Sequence, residues 1–146
     1  IFGPRACIDR KELTFNNYFI GLALQGKDIP VWGNGSQKRN TLYVSDAVNA
    51  ILKLATTKFT DSETFFAVGD HHHSIIEIAN AIVNCVGGTL RLMEWPKERK
   101  SIEIGDAIIS NHKIKQMLDW SPEENLESGL LKTKAFYETC LQYYLR

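Results

Sequence analysis

The sequence has few cysteines, and this scarcity excludes two kinds of small fold. Its three cysteines, Cys7, Cys85 and Cys140, are far apart and odd in number, and none belongs to a CxxC pair. The pattern argues against a disulfide framework and against a zinc knuckle. It is typical of a reducing compartment, so we expect a cytoplasmic protein.

The sequence also lacks a long apolar run and a net charge. Polar residues interrupt every apolar run within a few positions, far short of the roughly 20 residues that cross a bilayer. We expect no membrane partner. Lys plus Arg number 17 and Asp plus Glu number 17, which leaves no overall field to attract nucleic acid. A composition of 44% hydrophobic and 23% charged residues predicts one globular unit.

The first residues lack a starting methionine and a signal-peptide pattern. Ile1 stands first, and Gly3 and Pro4 follow without a basic region and an apolar stretch. We therefore expect the chain to begin within a longer protein. A chain trimmed by processing is the alternative.

Helical and extended patterns alternate along the chain. Five segments carry apolar residues at helical spacing, at 15–23, 48–55, 75–86, 114–118 and 126–144, and the last predicts one helix of about 18 to 20 residues. Four segments are rich in strand formers, at 29–32, 41–44, 65–69 and 89–93. The order of these segments predicts a mixed α/β fold.

Several local signals sharpen these predictions. Gly26 is placed to end the first helix, and residues 74–77 (SIIE) match a capping box at the start of the third. Residues 45–46 and Asn111 are predicted to cap the second and fourth helices. Residues 65–69 (FFAVG) form an unbroken apolar run, which is typical of a strand covered on both faces in a parallel sheet.

Short motifs follow one another in a fixed order along almost the whole chain. They include residues 1–5 (IFGPR), 33–40 (GNGSQKRN), 43–48 (YVSDAV), 104–106 (IGD), 118–122 (LDWSP) and 126–130 (LESGL). Each string alone is common, but the ordered set resembles the extended short-chain dehydrogenases/reductases of the NAD-dependent epimerase/dehydratase family. The nucleoside-diphosphate-sugar epimerases, such as UDP-glucose 4-epimerase, are the branch it resembles most.

The resemblance implies an architecture and a set of partners. Residues 1–146 would be a single carboxy-terminal, substrate-binding domain, together with one strand and one helix of the Rossmann domain. The amino-terminal NAD-binding Rossmann domain would lie outside the chain. We expect NAD as cofactor and a UDP- or dTDP-sugar as the bound nucleotide sugar. The apolar residues at 48–52 and 65–68 would face the missing domain, so we expect self-association, as a homodimer.

The residues that would carry out the redox chemistry are not found. Oxidation by NAD needs a glycine loop between a strand and a helix, and the turn at Gly33 and Gly35 lacks that order. The family's base is a Tyr whose pKa is lowered by a Lys four residues later. Tyr18, Tyr43 and Tyr137 have no such Lys. We therefore assign no catalytic residue and expect no turnover by the chain alone.

Binding of the diphosphate is the task that remains. It favours Arg, because a guanidinium makes paired, charge-assisted bonds to phosphate oxygens. By resemblance Arg39 would bind the diphosphate; a solvated loop arginine is the alternative. The family's second diphosphate Arg is replaced by Glu103. Arg99 or Lys100 would substitute for it, or would belong to an exposed charged loop. With Glu103 in that place, the ligand would offer a hydroxyl or an amine.

The same resemblance assigns a nucleobase pocket. Pro30, Val31 and Trp32 would line it, with backbone groups facing the base edge and an aromatic wall beside it. The alternative is an ordinary edge strand with Trp32 in the core. Pro4 would lie near the nicotinamide end of the cleft, while Arg5 would contact substrate or pair with a carboxylate.

Three adjacent histidines, at 71–73, are not predicted to bind a metal. Three neighbours in a loop cannot all face one tetrahedral centre, and no Cys or carboxylate stands at ligand spacing. We interpret them as a polar loop and expect no metal site.

Together these observations predict the sugar-nucleotide recognition half of an NAD-dependent NDP-sugar epimerase of the 4-epimerase type, acting through a transient keto sugar. An NDP-sugar 4,6-dehydratase is one alternative. A non-catalytic nucleotide-binding or scaffold protein on the same fold is another, and Glu103 favours it.

Overall fold

The computed structural model describes residues 1–58 and 62–145 and confirms the mixed α/β fold. The helices are α1 (Phe15–Leu24), α2 (Val44–Thr56), α3 (Ile75–Cys85), α4 (Lys97–Lys100), α5 (His112–Leu118) and α6 (Leu126–Glu138), and a 3-10 helix spans Leu141–Tyr143. The strands are β1 (Asp28–Trp32), β2 (Lys38–Asn40), β3 (His72–Ser74) and β4 (Thr89–Met93).

The strands form two small sheets instead of one continuous sheet. β1 pairs in parallel with β4, from Asp28 opposite Thr89 to Trp32 opposite Met93. β2 pairs antiparallel with β3. The parallel pair puts the carboxyl ends of β1 and β4 side by side, where the following loops meet.

The main core lies between β1 and helices α1, α3 and α6. Ile20, Ile29, Ile78, Ile82 and Leu130 are fully buried there. Burial of each such side chain contributes about 1.5–3 kcal/mol. This core holds β1 firmly, and β1 in turn carries the residues assigned to the nucleobase.

A smaller core surrounds the indole of Trp120. It joins the inner face of α2, at Ala47 and Ala50, to α5 at Ile114 and Leu118. The Trp120 indole N–H donates to the Asp46 carbonyl oxygen at 3.2 Å. The opposite face of α2 is uncovered, since Val48, Ile51 and Leu52 are 48%, 64% and 57% exposed.

Two of the local signals for helix ends are confirmed, those at the start of α3 and at the end of α1. At the start of α3, Ser74 Oγ accepts from the Glu77 backbone N–H, and Glu77 Oε2 accepts from the Ser74 backbone N–H at 2.7 Å. At the end of α1, Gly26 has φ +67° and its N–H donates to the Ala23 carbonyl. These signals work because both partners lie within one helical turn.

The predicted strand at 41–44 is reduced to a single parallel bridge between Tyr43 and Phe2, and the predicted cap at 45–46 is wrong. The strand of this region is β2, three residues earlier, and α2 already begins at Val44. Asp46 does not cap it, because its buried carboxylate accepts from the backbone N–H groups of Glu123 and Glu124, at 3.1 Å each. The Asp46 side chain, which the local pattern assigned to the helix cap, therefore makes a long-range contact instead.

The predicted strand at 65–69 is also wrong within the described residues. Its backbone has no partner strand, and Phe66 is 57% exposed, although Gly69 N–H donates to the Thr41 carbonyl. Asn111 stands before α5 as predicted. Its side-chain oxygen makes no cap bond to the helix, while its Nδ2 donates to Val68 O and Asp70 Oδ1.

The last helix is shorter than predicted, and two of the three histidines lie in a strand instead of a loop. α6 ends at Glu138, after which the chain turns so that the Tyr144 ring packs edge-on against Tyr137, with centroids 5.0 Å apart. His72 and His73 belong to β3, not to a polar loop. Among the helices of the described ranges, none has the length and apolar character needed to cross a bilayer.

Candidate functional site

A cavity of about 650 Å³ lies at the carboxyl ends of β1 and β4. Ligands of open α/β sheets bind at this edge, because the loops that follow parallel strands meet there. Its walls are largely apolar and come from α1, β1, β4 and the segment after β4, with the side chains Phe15, Tyr18, Phe19, Pro30, Trp32, Ile75, Met93, Trp95 and Pro96. The remaining lining residues are polar or charged: Lys11, Gln37, Arg39, Glu98, Arg99 and Glu103.

Two tryptophans form one wall of the cavity. The rings of Trp32 and Trp95 are 5.4 Å apart between centroids and tilted by 54°. Gly33 permits this approach, because a Cβ there would stand 2.5 Å from Trp95 Nε1 and the residue has φ +63°. The Arg99 guanidinium lies 6.0 Å from the Trp32 ring centroid, within range of a cation–π contact.

Arg39 projects from β2 and makes three hydrogen bonds. Its Nη1 donates to the carbonyl oxygens of Lys38 at 2.8 Å and Gly105 at 2.5 Å. Its Nη2 donates to Glu103 Oε1 at 2.9 Å, which forms an ion pair between side chains that are 21% and 25% exposed. The segment around Gly105 runs beside β2, since Ala107 N–H donates to the Lys38 carbonyl.

Gln37 places an unused acceptor at the cavity. Its Oε1 is buried and accepts no hydrogen bond from the described residues. A buried amide oxygen without a partner is costly, by about 1–3 kcal/mol. The position therefore favours a ligand with a hydroxyl or N–H donor.

The structure brings together four of the residues that the sequence assigned to substrate binding. Pro30, Trp32, Arg39 and Arg99 all line the cavity. Val31 does not, because alternate side chains of a strand point to opposite faces and its own is fully buried in the core.

Lys100 and Pro4 lie apart from these four residues. Lys100 belongs to the exposed helix α4 and is not a lining residue of the cavity. Pro4 follows Gly3 in the first segment, which pairs with residue 43 through Phe2. Arg5 has φ +64° and stacks over the Phe136 ring at 5.2 Å.

The sequence reasoning missed Trp95, Gln37 and the aromatic side chains of α1 as lining residues. Trp95 follows directly after β4, and its Trp-Pro dipeptide was the available signal. Phe15, Tyr18 and Phe19 have the helical spacing of core residues, and spacing alone does not separate a core face from a cavity wall.

The tyrosines with shifted pKa values are unsuited to act as bases. Burial raises the pKa of Tyr137 to about 12, and its hydroxyl donates to the Ala6 carbonyl at 2.9 Å. Burial also raises the pKa of Tyr43. A tyrosine base needs the opposite shift.

The described residues supply neither a metal cluster nor a cradle for the pyrophosphate of NAD. In the described ranges, no group of three or more His, Cys, Asp and Glu side chains could hold a metal ion. The turn at Gly33 and Gly35 joins two strands, not a strand and a helix. A Cβ at Gly35 would stand 2.7 Å from a Val31 methyl group, so this glycine serves packing.

Comparison with known proteins agrees with these features. Residues 1–69 match the model of the NAD dependent epimerase/dehydratase family. The chain belongs to this family. The resemblance inferred from the ordered motifs is thereby confirmed.

Two curated relatives of this chain are named for different reactions. The dTDP-glucose 4,6-dehydratase of Escherichia coli is 30% identical over 135 residues, which cover 85% of this chain and 37% of that protein. UDP-glucuronic acid decarboxylase 1 of Xenopus tropicalis is 31% identical over 144 residues, which cover 97% of this chain and 32% of that protein. The chain thus spans about a third of the length of these relatives.

A solved structure that is similar to this chain shares its fold. The UDP-glucose 4-epimerase of Thermotoga maritima, solved with UDP-glucose, is 26% identical and superposes with a TM-score of 0.80 over 96% of this chain and 43% of that one. By their names, the three proteins concern dTDP-glucose, UDP-glucuronic acid and UDP-glucose. Nucleotide sugars are common to them, and the reactions differ.

Proposed function

We propose that this chain is the sugar-nucleotide recognition part of an NAD-dependent enzyme that acts on a UDP- or dTDP-sugar. The observation that carries the proposal is a cavity in which a tryptophan pair lies beside Arg39 and Arg99. Apolar cavities with a few convergent polar groups are the usual form of small-molecule sites. This cavity also has the size of such a site.

The nucleobase would lie against the tryptophan pair. Trp32 and Trp95 offer flat apolar surface, and Pro30 supplies a rigid wall at the same end of β1. Aromatic rings favour offset or edge contacts with a second ring over a stacked sandwich. The Gln37 oxygen, buried and without a donor among the described residues, would accept from the base or the ribose.

The diphosphate would bind to Arg39. A guanidinium has five N–H donors, and three of them are used, by Lys38 O, Gly105 O and Glu103 Oε1. The two that remain, one on Nε and one on Nη2, can hold one phosphate group in a paired, charge-assisted contact.

NAD would be held mainly by residues outside the chain. The described residues lack a glycine cradle for its pyrophosphate, and Pro4 is the residue assigned by resemblance to its nicotinamide end. NAD would supply hydride exchange with the sugar, while this chain's residues bind and orient the nucleotide. The chain alone, incubated with NAD and UDP-glucose, is expected to give no product.

The uncovered face of α2 supports a two-domain arrangement. Val48, Ile51 and Leu52 form an exposed apolar stripe, and larger stripes of this kind mark interaction surfaces. We assign the stripe to an amino-terminal Rossmann domain, and the complete protein to a cytoplasmic homodimer. Light scattering that reports a monomer at all concentrations would contradict the dimer.

The reaction of the complete protein is proposed to be 4-epimerisation through a transient keto sugar. The structural relative that acts as a UDP-glucose 4-epimerase supports this choice. A 4,6-dehydratase is the second candidate, which the Escherichia coli relative supports. An epimerase converts UDP-glucose to its C4 epimer, whereas a dehydratase releases water from dTDP-glucose and leaves a keto sugar.

Calorimetry of the complete protein with UDP, dTDP and GDP tests the recognition proposal. Binding of a pyrimidine diphosphate with weaker binding of GDP is the expected result. Product analysis with UDP-glucose and dTDP-glucose then separates the two reactions. Binding without turnover would favour the non-catalytic alternative, and absence of binding to all three nucleotides would overturn the proposal.

A further inference from the structure

Glu103 lies where a carboxylate is unexpected in a site for an anion. Its Oε1 accepts from Arg39 Nη2 at 2.9 Å and from the Gly105 backbone N–H at 3.0 Å. Gly105 has φ +70°, a left-handed conformation that turns the chain back so that the N–H reaches the carboxylate. The carboxylate is therefore held in place from two sides, at the edge of the cavity.

This contact leaves Arg39 with one open side. Both Nη1 donors are used by carbonyl oxygens, and one Nη2 donor is used by Glu103. The Nε donor and the second Nη2 donor remain, and together they form the side fork of the guanidinium. Arg39 can bind one phosphate group there while it keeps its bond to Glu103.

Glu103 also reduces the positive charge that the phosphate meets. The charged lining side chains are Lys11, Arg39 and Arg99 against Glu98 and Glu103, so the excess is one positive charge. A carboxylate in contact with the binding guanidinium repels each further negative charge on the ligand. Its second oxygen, Oε2, accepts no hydrogen bond from the described residues and can accept one from a sugar hydroxyl.

We propose that Glu103 determines specificity for the diphosphate diester of a sugar nucleotide over the free nucleoside diphosphate. The inference rests on the proposed function of the cavity. The diester carries two negative charges. The free diphosphate carries close to three at neutral pH, because its terminal phosphate has a second pKa near 6. The diester also brings sugar hydroxyls to Oε2, which the free diphosphate lacks.

The test compares UDP with UDP-glucose on the complete protein, and dTDP with dTDP-glucose. The measured quantity is the ratio of the two dissociation constants. One extra unit charge about 5 Å from a carboxylate at a partly exposed site changes affinity by roughly tenfold. Glu103→Gln keeps an acceptor for Arg39 and Gly105 but removes the charge that repels the extra charge of UDP. It is therefore expected to lower the ratio of the dissociation constant of UDP to that of UDP-glucose by about tenfold.

Glu63→Gln is the matched control. It removes the same charge from an ion pair, with Lys113 Nζ at 2.5 Å, but Glu63 is not a lining residue of the cavity. Its ratio is expected to stay within about twofold of the wild-type value. Thermal unfolding checks that the variants fold. If Glu103→Gln does not fold, Glu103→Asp draws the carboxylate back from Arg39 and is expected to lower the ratio in the same direction, by less.

The outcomes separate the two proposals. If the ratio is unchanged in Glu103→Gln, or is lowered equally in Glu63→Gln, the role of Glu103 is overturned and the recognition function stands. Failure of the wild-type protein to bind any of the four nucleotides overturns the recognition function and this inference with it.

Discussion

Replacing Arg39 by alanine removes the group on which nucleotide binding is proposed to depend. The two unused donors of the guanidinium would each make a charge-assisted bond to phosphate, worth about 1.5–3 kcal/mol. Because the ligand leaves water to make them, we expect a net loss of about 3 kcal/mol, or roughly 100-fold in affinity for UDP-glucose. The free energy of unfolding should fall as well, by about 1–3 kcal/mol, since the bonds to Glu103 and to two carbonyl oxygens are lost.

The assay is a titration of the complete protein that follows tryptophan fluorescence, because Trp32 and Trp95 line the cavity. Arg91→Ala is the matched control. Arg91 also forms an ion pair, with Asp28 at 3.7 Å, but it is 66% exposed and lies outside the cavity. Its loss should leave affinity unchanged. An Arg39→Ala variant that folds and binds UDP-glucose within about twofold of the wild type would refute the assignment of Arg39.

Three further predictions concern Gly33, Ser74 and Tyr137. Gly33→Ala places a methyl group against Trp95 and requires a left-handed backbone of alanine, which costs about 1–2 kcal/mol. We expect weaker nucleotide binding, and unchanged binding would contradict the role of the two tryptophans as a wall of the cavity. Ser74→Ala removes one half of the capping box and should lower the free energy of unfolding by about 1 kcal/mol in urea titrations; an unchanged midpoint would count against it. Because the pKa of Tyr137 is raised to about 12, the folded state holds the hydroxyl proton more tightly than the unfolded state. The stability that this proton contributes is complete below about pH 10 and declines from pH 10 to 12. Tyr137→Phe should flatten that decline, and an identical pH profile of the variant would exclude Tyr137 as its source.

The elements predicted correctly from the sequence are those whose signals are local. The capping box of α3 needs residues three positions apart, and Gly26 ends α1 through bonds within one turn. β1 and β4 were recognised as strands from their residue types alone. The ordered motifs also pointed to the family and to Arg39. In each case the decisive interaction, or the decisive pattern, lies within a short stretch of chain.

The elements predicted wrongly are those in which a distant partner decides. Asp46 has the residue type of a helix cap, but backbone groups 77 and 78 positions away bind its carboxylate. Residues 65–69 have the composition of a buried strand and no strand beside them in the described residues. Residue types indicate which secondary structures a segment can form, and contacts with distant segments determine which of these is stable.

The sequence by itself determined the family, the mixed α/β class, the capping box of α3, the end of α1 at Gly26 and the arginine to examine. The tertiary structure decided how the site is assembled. Pairing of β1 with β4 brings Trp95 to Trp32, and the turn at Gly105 brings Glu103 to Arg39 across 64 positions of sequence. Short-range hydrogen bonds depend on neighbours that the sequence states directly, whereas a cavity depends on which distant segments share a core, and only the folded chain specifies that.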